Sequence, residues 1–157
     1  DFAIYDPDED RVDFPRLNHV LAAFPQGFRL WWTPAAAGGF VPVGYSGWYP
    51  IAPAVFERLA TRPASVTDRG EMAPAPLGPA PIVYLFSYGV AAPLRKTDVA
   101  RRLLAALADD IRLAQPGGLA AITVSEDGAR VARRFGMKAS GNVSVGGGAE
   151  VAFVRRG

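Results

Sequence analysis

The amino-acid sequence predicts an α/β (α+β) fold with a mixed, mostly antiparallel central sheet and helices on both faces. Three observations predict it. "IVYLFSYGV" (82–90) and "LAAITV" (119–124) are near-continuous apolar runs of strand length, the pattern of strands buried on both faces. Between them "TDVARRLLAALADDIRLA" (97–114) carries an apolar stripe at Val99, Leu103, Leu107 and Ile111, so 82–124 reads as strand, helix, strand with a right-handed parallel crossover. The other strand-like segments come in pairs joined by short connections, which supplies the antiparallel part.

In chain order, "FAIYD" (2–6) predicts a short first strand, followed by the acidic turn "DPDED" (6–10). "DFPRLNHVLAAF" (13–24) predicts a helix: Asp13 can cap it, Pro15 suits the first turn, and Leu17, Val20, Leu21 and Phe24 share one face. "FPQG" (24–27) stops it. "FRLWWT" (28–33) and "FVPVGYSGWYPI" (40–51) are aromatic and β-branched, and predict two antiparallel strands, with Pro42 at an edge or a bulge. "PAVFERLATRP" (53–63) predicts a short helix, and "EMAPAPLGPAP" (71–81), with four prolines, an extended connection. After the 82–124 unit, Ser125 caps a helix in "SEDGARVARRFG" (125–136), which Gly136 ends. "MKASGNVSV" (137–145), a "GGG" turn (146–148) and "AEVAFVRR" (149–156) predict a final hairpin.

The chain has 157 residues, half of them hydrophobic and 20% charged, so one domain over 1–157 is expected, with 71–81 as an internal Pro-rich connection. Net charge is +2, and the pI near 9.2 predicts a small arginine excess with no basic patch, which argues against a nucleic-acid partner. Cysteine is absent and His19 is the one histidine. Disulfides, thiolate catalysis and Cys- or multi-His metal sites are therefore excluded, and no metal is expected. No apolar run approaches membrane-helix length, so no membrane partner and a cytoplasmic location are expected. The sequence opens on Asp1, which leaves room for a preceding segment.

The chemistry centres on "RKTDVARRLL" (95–104), where a strand hands over to a helix. The first amides of a helix lack internal partners and carry positive partial charge, so a diphosphate can dock there, helped by Arg95, Lys96 and Thr97. Equally, Thr97 or Asp98 can cap those amides internally. No Walker loop or Rossmann glycine fingerprint is present, and Gly146–Gly148 has no helix after it.

In element order over nearly the whole chain, and most specifically over 82–137, the sequence resembles the GNAT superfamily of N-acetyltransferases. "RKTDVA" (95–100) is similar to that family's Q/R-x-x-G-x-G/A loop at Arg95 and Ala100. Leu103 and Leu104 fall where the family often has paired leucines. "ARVARRFGM" (129–137) resembles its A-x-x-x-Y-x-x-x-G-F helix end, with Gly136 and Met137 standing for Gly-Phe. Three positions depart. Asp98 replaces a glycine, Ala132 replaces the tyrosine that protonates the leaving thiolate, and Ser125 replaces an asparagine.

The resemblance implies acetyl-CoA or another acyl-CoA as co-substrate and a small-molecule or peptide amine as acceptor. It implies that backbone groups of Tyr88, Gly89 and Val90 pair with the pantetheine arm. The pyrophosphate is then expected at Arg95, Lys96, Thr97, Asp98, Val99 and Ala100, with Asp98 weakening its hold. Tyr45, Trp48 and Tyr49 are expected beside the acceptor, or else packed between sheet and helices. With Ala132 unable to donate a proton, Tyr49, Tyr84, Tyr88 or a water remain as the acid. Ser46 and His19 are expected at the surface, Glu57 at the surface or as a base acting through water, Glu150 on an outward strand position, and Arg133, Arg134, Arg155 and Arg156 in solvent or drawing the coenzyme's 3′-phosphate. Three functions stay open: an acyltransferase, a non-catalytic binding domain of the same fold, and an unrelated α/β module. A homodimer is left open. A sheet splayed near Val90 favours the first two, and a closed sheet the third.

Overall fold

The computed structural model describes residues 14–145 and 150–157. Among the described residues six strands form one sheet: β1 (Phe28–Pro34), β2 (Phe40–Ile51), β3 (Ile82–Val90), β4 (Gly118–Thr123), β5 (Lys138–Asn142) and β6 (Val151–Arg156). Their spatial order is β1-β2-β3-β4-β6-β5, and β3–β4 is the one parallel pair among the described residues. The helices are α1 (Phe14–Ala23), α2 (Pro53–Thr61), α3 (Asp98–Leu113) and α4 (Glu126–Arg134). The expected strand at 2–6, the Asp13 cap and the 146–148 turn lie outside the described residues.

Helices cover both faces. A methyl group at Gly44 of β2 would fall 2.6 Å from Leu103 Cδ1, so this glycine lets α3 close onto the sheet. The Arg133 guanidinium of α4 sits over Phe153, whose partner across the ladder, Ala121, is paired in turn with Leu85. On the opposite face a methyl at Gly118 would meet Phe56 of α2 at 3.1 Å, and Arg16 of α1 lies over Phe86. Leu103, Leu107 and Ile111 of α3 are buried as their spacing predicts, each contributing ~2 kcal/mol. Caps follow the sequence. Ser125 accepts from the Gly128 amide at 3.2 Å, and Gly136, at φ +74°, turns the chain out of α4.

Pro42 lies beside a bulge in the β1–β2 ladder, where Trp31 pairs with Gly44 and Trp32 with Pro42, leaving Val43 as the extra residue. Residues 74–81 follow no helix or strand, as four prolines dictate. Trp48 and Tyr49 both belong to the core, 5% and 0% exposed, because β2 is covered on both faces. The packing alternative for this aromatic stretch is therefore the one the fold adopts at these two positions.

Candidate functional site

The parallel ladder between β3 and β4 is short. It pairs Ile82 with Gly118, Val83 with Leu119, Tyr84 with Ala120 and Leu85 with Ala121, then stops. Among the described residues, β3 runs on to Val90 with only β2 beside it. The divergence has a local cause. In the β2–β3 ladder Gly47 pairs with Ser87 and Trp48 with Leu85, so Phe86 is an inserted bulge residue. A bulge bends its strand and sharpens the twist, and here it swings β3 away from β4. The result is a cleft of about 1000 Å³ through the sheet, with the free edge of β3 along one wall.

The cleft is strongly basic. Among the described residues, Arg16, Arg69, Arg95, Lys96, Arg101, Arg130 and Arg134 line it, against the acidic Asp127 and Glu150. The expectation of no basic patch is thus corrected. A net charge of +2 conceals the concentration because much of the compensating acid lies elsewhere on the surface, as in Glu57, which pairs with Arg156 at 2.5 Å. Low-dielectric walls of one sign focus the field on anionic ligands.

At one end of the cleft the start of α3 presents its amides. Thr97 is the N-cap: its Oγ1 accepts from the Val99 amide at 3.3 Å and donates to the Leu94 carbonyl at 2.8 Å. Among the described residues, the amides of Asp98 and Ala100 find no acceptor, as expected for the first turn. Arg95 Nε donates to the Val90 carbonyl at 3.2 Å, and the Tyr88 hydroxyl to the Ala100 carbonyl at 3.0 Å. The end of β3 is thereby fastened to the start of α3.

At the other end are Tyr84, Phe86, Arg16, Arg69 and Glu150. Glu150 is 4% exposed and pairs with Arg69 at 2.5 Å, which corrects its expected outward position. Burial, first, and neighbouring Tyr49, second, push the Tyr84 hydroxyl well above the usual phenol range. That hydroxyl finds no acceptor among the described residues. Tyr88 is raised by burial, and Tyr49 by burial against the opposing pull of Arg16.

The predicted site residues divide accordingly. Tyr84, Tyr88, Gly89, Val90, Arg95, Lys96, Thr97 and Ala100 line the cleft together, whereas Asp98, Val99, Tyr45, Trp48 and Tyr49 do not. Tyr49 stands one layer behind, donating to the Met72 carbonyl at 2.8 Å and accepting from Arg16 at 3.4 Å. Ser46 is buried at 1% instead of lying on the surface, while His19 and Glu57 are exposed as expected. Arg16, Arg69 and Glu150 were missed as cleft residues. Their long separation in the chain leaves no local pattern to find.

No protein-family model matches the chain, and no curated protein matches it in sequence. Solved structures do match in shape. The GNAT-like decarboxylase GphF in complex with isobutyryl-CoA superposes with a TM-score of 0.64 at 15% identity, over 99% of this chain and 90% of that one. The NatC complex bound to Gag peptide and CoA gives 0.61 at 10% identity, over 96% and 83%. The loading GNATL domain of CurA from Lyngbya majuscula gives 0.60 at 14%, over 96% and 86%. The chain has a GNAT fold.

Within this GNAT fold the three departures acquire places. Ala132 is 1% exposed and lines the cleft with a methyl group, which holds no proton to give. Ser125 caps α4 at the cleft wall. Asp98 neither caps α3 nor faces the cleft. Its side chain is 67% exposed and pairs with Arg101, which holds its carboxyl below the usual carboxylate range. The expectation that Asp98 competes for the helix amides is corrected, because Thr97 already occupies the cap. Asp98→Gly should change the affinity of the cleft for a diphosphate-bearing ligand by less than about threefold, since solvent screens an exposed charge. It should lower the melting temperature slightly through the lost charge–dipole contact. Calorimetric titration and a thermal melt of this variant check both.

Proposed function

We propose that the protein moves an acetyl or acyl group from acyl-CoA to an amine by direct attack of the amine on the thioester. The observation that carries this reading is the free edge of β3 from Phe86 to Val90, opened by the bulge and by the early end of the β3–β4 ladder. An extended amide-bearing arm can add to that edge as a further strand does. The residues beyond it suit the rest of such a donor. Unpaired first-turn amides of α3, with Arg95 and Lys96 beside them, suit a diphosphate. Arg101, Arg130 and Arg134 suit a further phosphate. GphF and NatC carry isobutyryl-CoA and CoA in the structures this fold resembles, and NatC also holds a peptide, which supports a small-molecule or peptide amine as acceptor.

In this reading the chain positions two reactants and polarises the thioester carbonyl, with backbone amides at the β3 bulge as the available donors. Tyr88 is spent on Ala100, and Tyr49 on Met72, leaving Tyr84 as the tyrosine able to donate toward a departing sulfur.

Calorimetric titration tests the proposal. Acetyl-CoA should bind, more weakly as salt rises, and S-acetylpantetheine, which lacks the nucleotide phosphates, should bind at least about tenfold more weakly. Absence of acetyl-CoA binding overturns it. A second reading, a domain of the same fold that binds acyl-CoA without transfer, is favoured by one observation, the methyl group of Ala132 in the cleft. Binding with no thiol released in the presence of any primary amine would select it.

A further inference from the structure

Glu150 has a buried oxygen that none of the described residues uses. It enters β6 on the same face as Ala152, a buried position. Its Oε1 accepts from Arg69 Nη2 at 2.5 Å, while Oε2 is buried with no hydrogen-bond partner among the described residues. A buried carboxylate oxygen without a donor is costly, and native structures rarely leave one unless a ligand or water completes it. Glu150 lines the cleft at its Tyr84 end, on the opposite side of the sheet from the start of α3. The other acid of the cleft, Asp127, is already paired with Arg130 at 2.9 Å. A cation entering this basic cleft therefore meets one buried, open acceptor, flanked by the rings of Tyr84 and Phe86.

We propose that Glu150 receives the ammonium group of a primary-amine acceptor and removes its proton before attack. This inference rests on the acyl-transfer reading and narrows it to amines that arrive as cations. The ammonium gives one proton to Oε2 and becomes a neutral amine. Its lone pair forms the C–N bond at the thioester carbonyl carbon as the C–S bond breaks. A second nitrogen proton reaches the departing sulfur, directly or through Tyr84 or water. The products are an amide, a free thiol and, once Glu150 discharges to solvent, one proton.

The test uses matched ligands on the whole protein saturated with CoA: butylamine against 1-butanol, phenethylamine against 2-phenylethanol, and alaninamide against lactamide. Wild type should bind at least one amine about tenfold or more tightly than its alcohol. Glu150→Gln, which keeps an oxygen for Arg69, should lose that preference while retaining acetyl-CoA affinity. Glu150→Asp, which keeps the charge but withdraws it by one methylene, should retain part of it. A preference that persists in Glu150→Gln overturns the inference, as does wild type showing none for all three pairs. If Glu150→Gln fails to fold, an amine preference undiminished in Glu150→Asp overturns it. Failure of acetyl-CoA to bind wild type is a separate result that removes the acyl-transfer reading and this inference with it.

Discussion

Tyr84→Phe is expected to lower kcat for acyl transfer by about 100-fold while leaving KM for acetyl-CoA near its wild-type value, because removing one well-placed donor or acid typically costs two decades or more. The substitution keeps the ring that packs against Tyr49 at 5.5 Å and deletes only the hydroxyl. That hydroxyl lies in the cleft wall and stays protonated far into the alkaline range, chiefly through burial. In the proposed reaction it would act as a hydrogen-bond donor to charge developing on sulfur. A structural role alone would move stability and leave kcat intact. The pH dependence offers a second readout. Between the ordinary phenol value, about 10, and the raised value in the fold, the unfolded chain releases a proton that the folded chain retains. Stability is therefore fully present below about pH 10 and lost as pH rises above it. The loss should be shallower in Tyr84→Phe. Steady-state thiol release gives the first result and far-ultraviolet dichroism between pH 9 and 12 the second. An unchanged kcat for an accepted amine would remove Tyr84 from the chemistry.

Gly27→Ala should be the most damaging of the small substitutions. A methyl group there would lie 1.9 Å from the Trp48 carbonyl oxygen and 2.8 Å from the Phe24 ring. Backbone cannot yield as a flexible side chain can, so the turn after α1 must move off β2 and disturb the Phe24–Trp48 edge contact at 5.0 Å. Overpacking of this kind costs ~3 kcal/mol, which for a chain of this size lowers the melting temperature by about 10 °C. Gly78→Ala is the control. No atom lies within 4 Å of its would-be methyl group, and it should melt near wild type. A thermal melt of the two variants decides. A Gly27→Ala variant melting within about 2 °C of wild type would contradict the described packing.

Elements whose side chains obey one period were legible in the sequence. The stripe of α3, the two apolar strands flanking it and the caps at Thr97 and Ser125 all depend on neighbours within a few residues. The splay near Val90 was foreseen through resemblance, and its cause, the Phe86 bulge, was not, because an extra residue in a continuously apolar strand breaks no visible alternation. Trp48 and Tyr49 were placed either beside an acceptor, through the resemblance, or in the packing between sheet and helices, and the second holds because adjacent residues of a strand covered on both faces are both core. Glu150 was assigned to an outward strand position. Its burial depends on Arg69, 81 residues away, and no local pattern records such a partner. The basic character of the cleft escaped for the same reason. Its charges enter from positions 16, 69, 95, 96, 101, 130 and 134 and converge only in three dimensions.

The two bonds that join the end of β3 to the start of α3, Tyr88 to the Ala100 carbonyl and Arg95 to the Val90 carbonyl, have a thermodynamic consequence. A strand that has lost its neighbour on one side is ordinarily free to fray, and any ligand that settles on it must first suppress that motion. Here the stretch is braced from the helix, so its ordering entropy is charged to folding and not to association. A donor arriving at this edge would meet a rigid template, and more of the contact energy would remain as affinity.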